Sequence, residues 1–138
     1  MNDATTLGQV PRAATAGERL SYRVFVRDLL LPGLIGVHRH ERDGRQRVRI
    51  NIEVNVVADG PLQDRLANAV CYETIVARVR RIVGAGHINL VETLAERIAE
   101  ACLEDARVAS ARIRVEKLDV FADAAGAGVE IERVRPRR

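Results

Sequence analysis

The sequence predicts an α+β fold in which two helices cover one face of a four-stranded antiparallel sheet. Four stretches alternate apolar and polar residues, as half-buried strands do, and between the second and third lie two apolar stripes at helical spacing. The resulting order is β-β-α-α-β-β. Strands and helices that segregate in this way are typical of α+β domains.

Length and composition exclude several classes of function. A chain of 138 residues is long enough for one domain with a real core, and with 3% aromatic residues and no Trp that core must be aliphatic. No run of 18 apolar residues exists, so no membrane partner is expected. The net charge is only +3, and the arginines of the predicted strands have no aromatic residues interleaved. We therefore expect no nucleic-acid partner.

The cysteines and the termini suggest a cytoplasmic domain with two tails. The N-terminus lacks the layout of a signal peptide, and Cys71 and Cys102 are isolated thiols, as is usual in a reducing cytosol. Residues 1–19 are rich in Ala, Thr and Gly without periodicity and are expected to be disordered. The folded domain is expected to span residues 20–134, with a basic tail at 135–138.

The first two strands differ in clarity. The first is predicted from Leu20 to about Leu30, with Phe25 breaking the apolar parity and Pro32-Gly33 expected to end it. From Arg47 to Val57 apolar and polar residues separate onto two faces without exception. This second strand should run antiparallel to the first with one solvated face.

The two helices are predicted from apolar stripes that repeat every three or four residues. Gly84 and Gly86 are expected to stop the first helix, and Asn89 is expected to be the N-cap of the second. The stripes consist of Ile75, Val76, Val79, Ile82 and Val83, then Leu90, Leu94, Ile98 and Cys102.

The third strand contains the first candidate functional residue. In the stretch from Ala111 to Lys117, the lysine has the same parity as the apolar residues. A lysine on an apolar face loses hydration, and desolvation lowers the pKa of an ammonium group, which makes it usable as a base near neutral pH. The alternative is that the strand ends at Glu116 and the lysine extends into solvent. The last strand is predicted near Gly128 to Val134.

Two further polar residues have both a functional and an ordinary interpretation. Glu41 lies in the predicted loop after the first strand, where a carboxylate is ordinarily exposed without a role. Tyr72 lies at the start of the first helix, where it is either a candidate site residue or a side chain that packs against the helix face.

Glu92 also has two interpretations. Asn89 followed three residues later by Glu92 fits a capping box, which would explain the carboxylate fully. The same position at a helix N-terminus, where free N–H groups lie beside an acceptor carboxylate, also suits a ligand with a guanidine-like edge and a carbonyl. Both interpretations remain open from the residues alone.

The histidines raise the question of a metal. His38 and His40 share one side of an extended chain, as zinc ligands do, but a third histidine ligand would have to be His87. We expect no metal and no cofactor. No glycine-rich phosphate loop or serine elbow occurs in the sequence.

Taken together, these segments resemble the dihydroneopterin aldolase family of folate biosynthesis over residues 20–134. The matching pieces are GLIGVHRHERDGRQ with Glu41, DRLANAVCYETI with Tyr72, INLVETLAERIAE with Glu92, IRVEK with Lys117, and the closing GVEIER.

The resemblance implies a tunnelling fold (T-fold) whose subunits close into a β-barrel ring of four, with two rings forming an octamer. It implies a pterin site at the subunit boundary, where Glu92 and the backbone at Val91 hold the aminopyrimidine edge. Lys117, Tyr72 and Glu41 would contact the trihydroxypropyl side chain and transfer its protons, with Tyr72 supplied by the neighbouring subunit. The reaction would cleave dihydroneopterin into 6-hydroxymethyl-dihydropterin and glycolaldehyde without a cofactor, because the dihydropterin ring itself accepts electrons.

Two alternatives to this activity remain, a sister enzyme activity and a function without catalysis. Leu118 stands where the family often has proline, and Asp64-Arg65 where it usually has two acidic residues. Both departures leave room for a sister epimerase acting on dihydroneopterin or its triphosphate. The zinc-dependent pyruvoyl-tetrahydropterin synthases share the fold but need a histidine upstream of His38 that is absent. A ring-forming pterin-binding or scaffold protein without catalysis is the alternative from another class.

Overall fold

The computed structural model describes residues 20–136 and confirms the predicted order of strands and helices, adding one short helix after the first strand. A 3₁₀ turn at Leu66–Asn68 precedes the second helix. The expected N-terminal tail lies outside the described residues. In chain order the elements are β1 (Ser21–Gly33), α1 (Arg39–Arg42), β2 (Gln46–Val57), α2 (Tyr72–Gly84), α3 (Val91–Leu103), β3 (Val108–Lys117) and β4 (Ala127–Val134).

The four strands form one antiparallel sheet in the order β1-β2-β3-β4, with two long helices on one face as predicted. Helix α2 packs on β1, α3 packs on β3 and β4, and the two helices contact each other. The core between the layers is aliphatic. On β2 it consists of residues that are at most 2% exposed, namely Val48, Ile50, Ile52, Val54 and Val56.

The other face of the sheet is polar and carries charged pairs across the strands. Arg49 on β2 lies directly opposite Glu116 on β3, and its guanidinium donates two hydrogen bonds of 3.0 Å to that carboxylate. This contact lowers the pKa of Glu116. A bidentate pair of this kind fixes the register at the end of β3 where Lys117 follows.

Strand β1 extends beyond the predicted end near Leu30 and contains a β-bulge. Between Val26 and Leu29 the pairing shifts by one residue, so that Arg27 and Asp28 together oppose Asn51. Asp28 has a φ of 57° and exchanges hydrogen bonds of 2.9 and 3.2 Å with Asn51.

The bulge reverses the parity of β1, so even-numbered residues face the core before it and odd-numbered residues after it. The strand ends at Gly33, within the predicted Pro32-Gly33 pair, although both of these residues still pair with β2. Phe25, which broke the expected alternation, lies on the polar face and is 64% exposed.

The structure also defines the end of α2 and the contacts just after β4. Helix α2 ends as predicted, with Gly84 as its last residue and Gly86, at a φ of +139°, just beyond the C-cap. Arg135, the first residue of the expected basic tail, donates its backbone N–H to Ala109 O at 2.8 Å and its guanidinium to the carbonyl oxygen of Val108 at 3.1 Å. Within the described residues, no helix has the length and apolar character needed to cross a membrane.

Candidate active site

Lys117 is the last residue of β3 and points to the helix-covered face of the sheet. It lies opposite Val48 and two residues after Val115, both of which are fully buried. Its own side chain is only 17% exposed. The alternation predicted this orientation, and the alternative of a lysine extended into solvent is wrong.

Glu41 lies in contact with Lys117. The expected loop at this position contains the short helix α1, and the Glu41 side chain is 5% exposed, so the interpretation as an ordinary exposed carboxylate is wrong. Its Oε2 atom accepts a hydrogen bond of 2.6 Å from Nζ of Lys117. A bond this short between opposite charges is a strong, charge-assisted contact.

The backbone before Glu41 is shaped to hold this carboxylate. The N–H of His38 donates to Oε1 of Glu41 at 3.3 Å. Gly36 has a φ of +128°, and a Cβ added there would lie 2.4 Å from the carboxyl carbon of Glu41. Only glycine tolerates both the conformation and the close approach, so Gly36 makes room for the Glu41 carboxyl group.

The contacts determine the charge of Glu41. The hydrogen bond from Lys117 lowers the pKa of the Glu41 carboxyl, and it outweighs burial, which acts in the opposite direction. The N–H of His38 lowers this pKa further. Glu41 is therefore an anion at neutral pH.

A short parallel bridge brings the start of α3 beside this ion pair. Ile35 and Ile88 pair in parallel, with hydrogen bonds of 2.9 Å from Gly36 N to Ile88 O and from Ile88 N to Leu34 O. The segment that leads to Glu41 is thereby joined to the segment that leads into α3. This bridge links the Lys117–Glu41 pair to the N-terminus of α3.

The expected capping box at α3 is absent. The N-cap is Leu90, whose side chain makes no capping bond, and the Oδ1 of Asn89 instead accepts a hydrogen bond of 3.2 Å from Arg42. Within residues 20–136, Glu92 is exposed and its carboxylate has no hydrogen-bond partner. The prediction of Asn89 as N-cap is wrong, so a capping box does not explain Glu92. The free carboxylate lies in the first turn of α3, one residue after Val91.

Tyr72 lies at the opposite end of the molecule from Lys117. It is the first residue of α2 and is 59% exposed, so it is not a core residue of this chain. The C-terminal end of α2 lies at the Lys117 end of the sheet, because Val83 and Val48 both lie close to Gly33. A helix of 13 residues is about 18 Å long, so Tyr72 cannot reach Lys117 within one chain.

The pairing of β2 with its neighbours also places Tyr72 and Lys117 at opposite ends of the sheet. Lys117 lies opposite Val48, whereas Val56, eight residues further along β2, lies opposite Tyr22. The hydroxyl of Tyr22 accepts a hydrogen bond of 3.4 Å from the N–H of Val70, just before α2 begins. Eight residues of strand span about 26 Å. The structure thus brings Lys117 and Glu41 together and joins their segment to the start of α3, where Glu92 lies, and it separates Tyr72 from them.

The three histidines do not converge on one point. The rings of His38 and His40 stack with centroids 5.7 Å apart. His87 instead directs Nε2 at the carbonyl oxygen of Gly36, at 2.7 Å. Within the part of the chain that the structure describes, no group of three or more His, Cys, Asp or Glu side chains could hold a metal ion.

Sequence reasoning missed Gln46, whose side chain contacts both the carbonyl oxygen of Ile35 and the carboxylate of Glu41. A signal for it was available. Gln46 has the same parity as the buried apolar residues of β2, as Lys117 has on β3. A cavity of about 270 Å³ lies elsewhere, on the polar face of the sheet beside Phe25 and Arg112, and includes none of the candidate residues.

Comparison with known proteins gives one consistent family. A family model described as dihydroneopterin aldolase matches residues 24–132, a range that includes every candidate residue. The chain is 36% identical over 98 residues to the dihydroneopterin aldolase of Streptomyces coelicolor, an alignment covering 70% of this chain and 82% of that protein.

Solved structures give the same result. A dihydroneopterin aldolase from Burkholderia thailendensis bound to guanine is 32% identical with a TM-score of 0.74, over 84% of this chain and 93% of that one. The Escherichia coli dihydroneopterin aldolase in complex with neopterin is 30% identical with a TM-score of 0.70, over 80% of this chain and 97% of that one.

Proposed function

The chain belongs to the dihydroneopterin aldolase family, and we propose that it cleaves the side chain of 7,8-dihydroneopterin in a metal-free retro-aldol reaction. The products are 6-hydroxymethyl-7,8-dihydropterin and glycolaldehyde, which places the enzyme in folate biosynthesis. The observation that carries the proposal is the buried Lys117–Glu41 pair, 2.6 Å apart, whose segment is joined by the Ile35–Ile88 bridge to the start of the helix that carries Glu92.

Glu92 and the backbone of Val91 hold the pterin ring. The aminopyrimidine edge presents an amino group and a ring N–H, both donors, beside a carbonyl acceptor. The Glu92 carboxylate accepts from the donors, and the uncapped N-terminus of α3 supplies N–H groups for the carbonyl. The ligands of the solved relatives support this, because guanine and neopterin share that edge.

Lys117 acts on the side chain of the substrate. The Lys117–Glu41 pair accepts the proton of one hydroxyl, the adjacent C–C bond breaks, and its electron pair flows into the C=N bond of the dihydropterin ring. Glycolaldehyde departs, and the same pair returns the proton to the carbon that remains on the ring. The ring serves as the electron sink that a metal or a Schiff base supplies in other aldolases, so the protein needs only groups that move protons.

Glu41 keeps Lys117 in place and exchanges protons with it. The carboxylate carries the negative charge, and its short bond to Nζ provides a direct route for a proton between the two groups. Tyr72 completes the set from a neighbouring subunit, because within one chain it lies at the far end of the sheet.

A closed ring of subunits accounts for both the position of Tyr72 and the open edges of the sheet. Within residues 20–136, strands β1 and β4 each have one side unpaired, and apolar side chains lie exposed on them, with Phe25 and Val134 each 64% exposed. Exposed edges of this kind are usually covered in the functional assembly. Four subunits joined edge to edge form the β-barrel ring, and two such rings form the octamer. The free thiols Cys71 and Cys102 fit a reducing compartment, and we place the enzyme in the cytoplasm on that ground.

Incubation with 7,8-dihydroneopterin followed by fluorescence chromatography tests the activity. Appearance of the hydroxymethyl product together with glycolaldehyde, and its absence with the Lys117→Met variant, is the expected result. A stereoisomer of the substrate as the sole product would identify an epimerase instead. Tight binding without any conversion would identify a pterin-binding protein.

A further inference from the structure

Gln46 is a polar side chain on the apolar face of β2, close to the proposed proton-transfer pair. It is the first residue of the strand, pairs with Gly33 on β1, and precedes Val48 by two residues, so its side chain points toward the helices. It is half-buried there. A buried amide needs hydrogen-bond partners, and Gln46 has two within the site.

The partners fix the orientation of the amide. Nε2 of Gln46 donates to the carbonyl oxygen of Ile35 and to Oε2 of Glu41, the second at 3.4 Å. Both partners can only accept, so the nitrogen of the amide must face them. Because the bond to Ile35 holds the NH₂ group in place, its second hydrogen points at Glu41.

From this geometry we propose that Gln46 is a positioning residue that holds the Glu41 carboxylate against Lys117. Oε2 of Glu41, the atom that Gln46 contacts, is also the atom that Nζ of Lys117 contacts. The anchor at Ile35 is part of the bridge to Ile88, which leads into α3. Gln46 therefore ties the proton-transfer pair to the segment that carries the ring-binding residues. The role in catalysis rests on the proposed function.

The expected consequence is a loss of turnover without a loss of binding. Without the amide, Oε2 of Glu41 loses one of its two side-chain donors, and the carboxyl group is held less firmly in its position against Lys117. Small misplacements of a catalytic group, or loss of the group that orients it, lower rates by about tenfold to a hundredfold. The ring is held by Glu92 and Val91, which Gln46 does not contact.

Two substitutions test the proposal. Gln46→Met keeps the length of the side chain and removes both hydrogen bonds, and Gln46→Glu replaces the donor with a second carboxylate. Asn68→Leu is the matched control, because Asn68 donates its side-chain amide to the carbonyl oxygen of Leu62 at 2.9 Å, far from Glu41. Each variant is assayed for kcat with dihydroneopterin, for the Kd of guanine, and for the titration of Glu41 by carbon-13 NMR.

For Gln46→Met we expect kcat to fall at least about tenfold, with the Kd of guanine within about threefold of wild type. We expect the titration midpoint of Glu41 to rise in both Gln46 variants, more in Gln46→Glu, and not in Asn68→Leu. If the wild type is active and Gln46→Met has the same kcat and the same titration midpoint of Glu41 as the wild type, the proposal is overturned. A wild type that does not cleave dihydroneopterin would defeat the proposed function, while the Glu41 titration would still decide whether Gln46 holds the carboxylate.

Discussion

Nζ of Lys117 lies 2.6 Å from Oε2 of Glu41, although 75 residues of chain separate them and the carboxylate is 5% exposed. The end of β3 supplies the lysine, and helix α1 supplies the glutamate. The contact holds both side chains in place, since the buried carboxylate is bonded to the lysine and the lysine side chain is only 17% exposed. The proposed chemistry depends on this pair.

Replacing Lys117 with methionine should abolish turnover while the affinity for guanine stays within about tenfold of wild type, because the lysine acts on the side chain of the substrate and not on the ring. Single-turnover kinetics and calorimetric binding give the two numbers. The Tm is recorded in parallel, because the variant leaves the Glu41 carboxylate buried without its cation. Activity within a few-fold of wild type would remove Lys117 from the mechanism.

Glu92→Gln should weaken the binding of guanine or a bare pterin by about 2 kcal/mol or more, since a charged acceptor becomes an amide that presents a donor to a donor. The Tm should not change, because Glu92 makes no capping contact. Glu100→Gln, an exposed carboxylate further along α3, is the matched control for charge. Unchanged affinity with a lower Tm would instead assign Glu92 to helix capping.

The free energy of unfolding should fall in acid, and part of the fall should come from Glu41. Its pKa is lowered in the folded state, so its stabilising contribution is complete above the ordinary glutamate pKa of about 4.3 and is lost as pH falls through the folded value. The Glu41→Gln variant has no such group, and its unfolding free energy should depend less on pH in this window, by up to about 1.4 kcal/mol per pH unit. Asp105 and Glu116 have lowered pKa values in both proteins and cancel in the comparison. Denaturant titrations at several pH values measure the difference, and parallel curves would contradict it.

Exhaustive chelation should leave the activity unchanged, because the ring of the substrate accepts the electrons and no open metal site is required. The enzyme is assayed before and after dialysis against chelator. Loss of activity with recovery on addition of zinc would shift attention to His38 and His40.

The sequence was sufficient for the order of elements and for the orientation of Lys117, because both follow from periodicity. It was insufficient for β1, because the bulge at Asp28 reverses which residues face the core. The alternation of apolar and polar residues is therefore interrupted in the middle of a single strand. No rule of alternation contains that reversal, since it depends on the pairing of Asp28 with Asn51.

The site was predictable where a polar residue stands on an apolar face. The argument that singled out Lys117 also applies to Gln46, which stands on the buried parity of β2 just before the stretch taken as the strand. The burial of Glu41 was not predictable in this way, because it depends on Gly36, whose φ of +128° makes room for the carboxyl group. The capping motif at Asn89 failed because Asn89 contacts Arg42, a partner 47 residues away in the chain.

The position of Tyr72 leads to the central claim, that each active site is shared between two subunits. Two variants, Tyr72→Phe and Lys117→Met, are first shown to be inactive separately. They are then unfolded, mixed in equal amounts and refolded together, and exchange of subunits is verified by mass spectrometry of the assembled rings.

Activity of the mixture measures how the sites are built. If each site takes Tyr72 from one chain and Lys117 from its neighbour, random assembly leaves about one site in four with both wild-type residues. The account predicts a return to about a quarter of the wild-type activity. A mixture that stays inactive after confirmed subunit exchange would contradict the shared site.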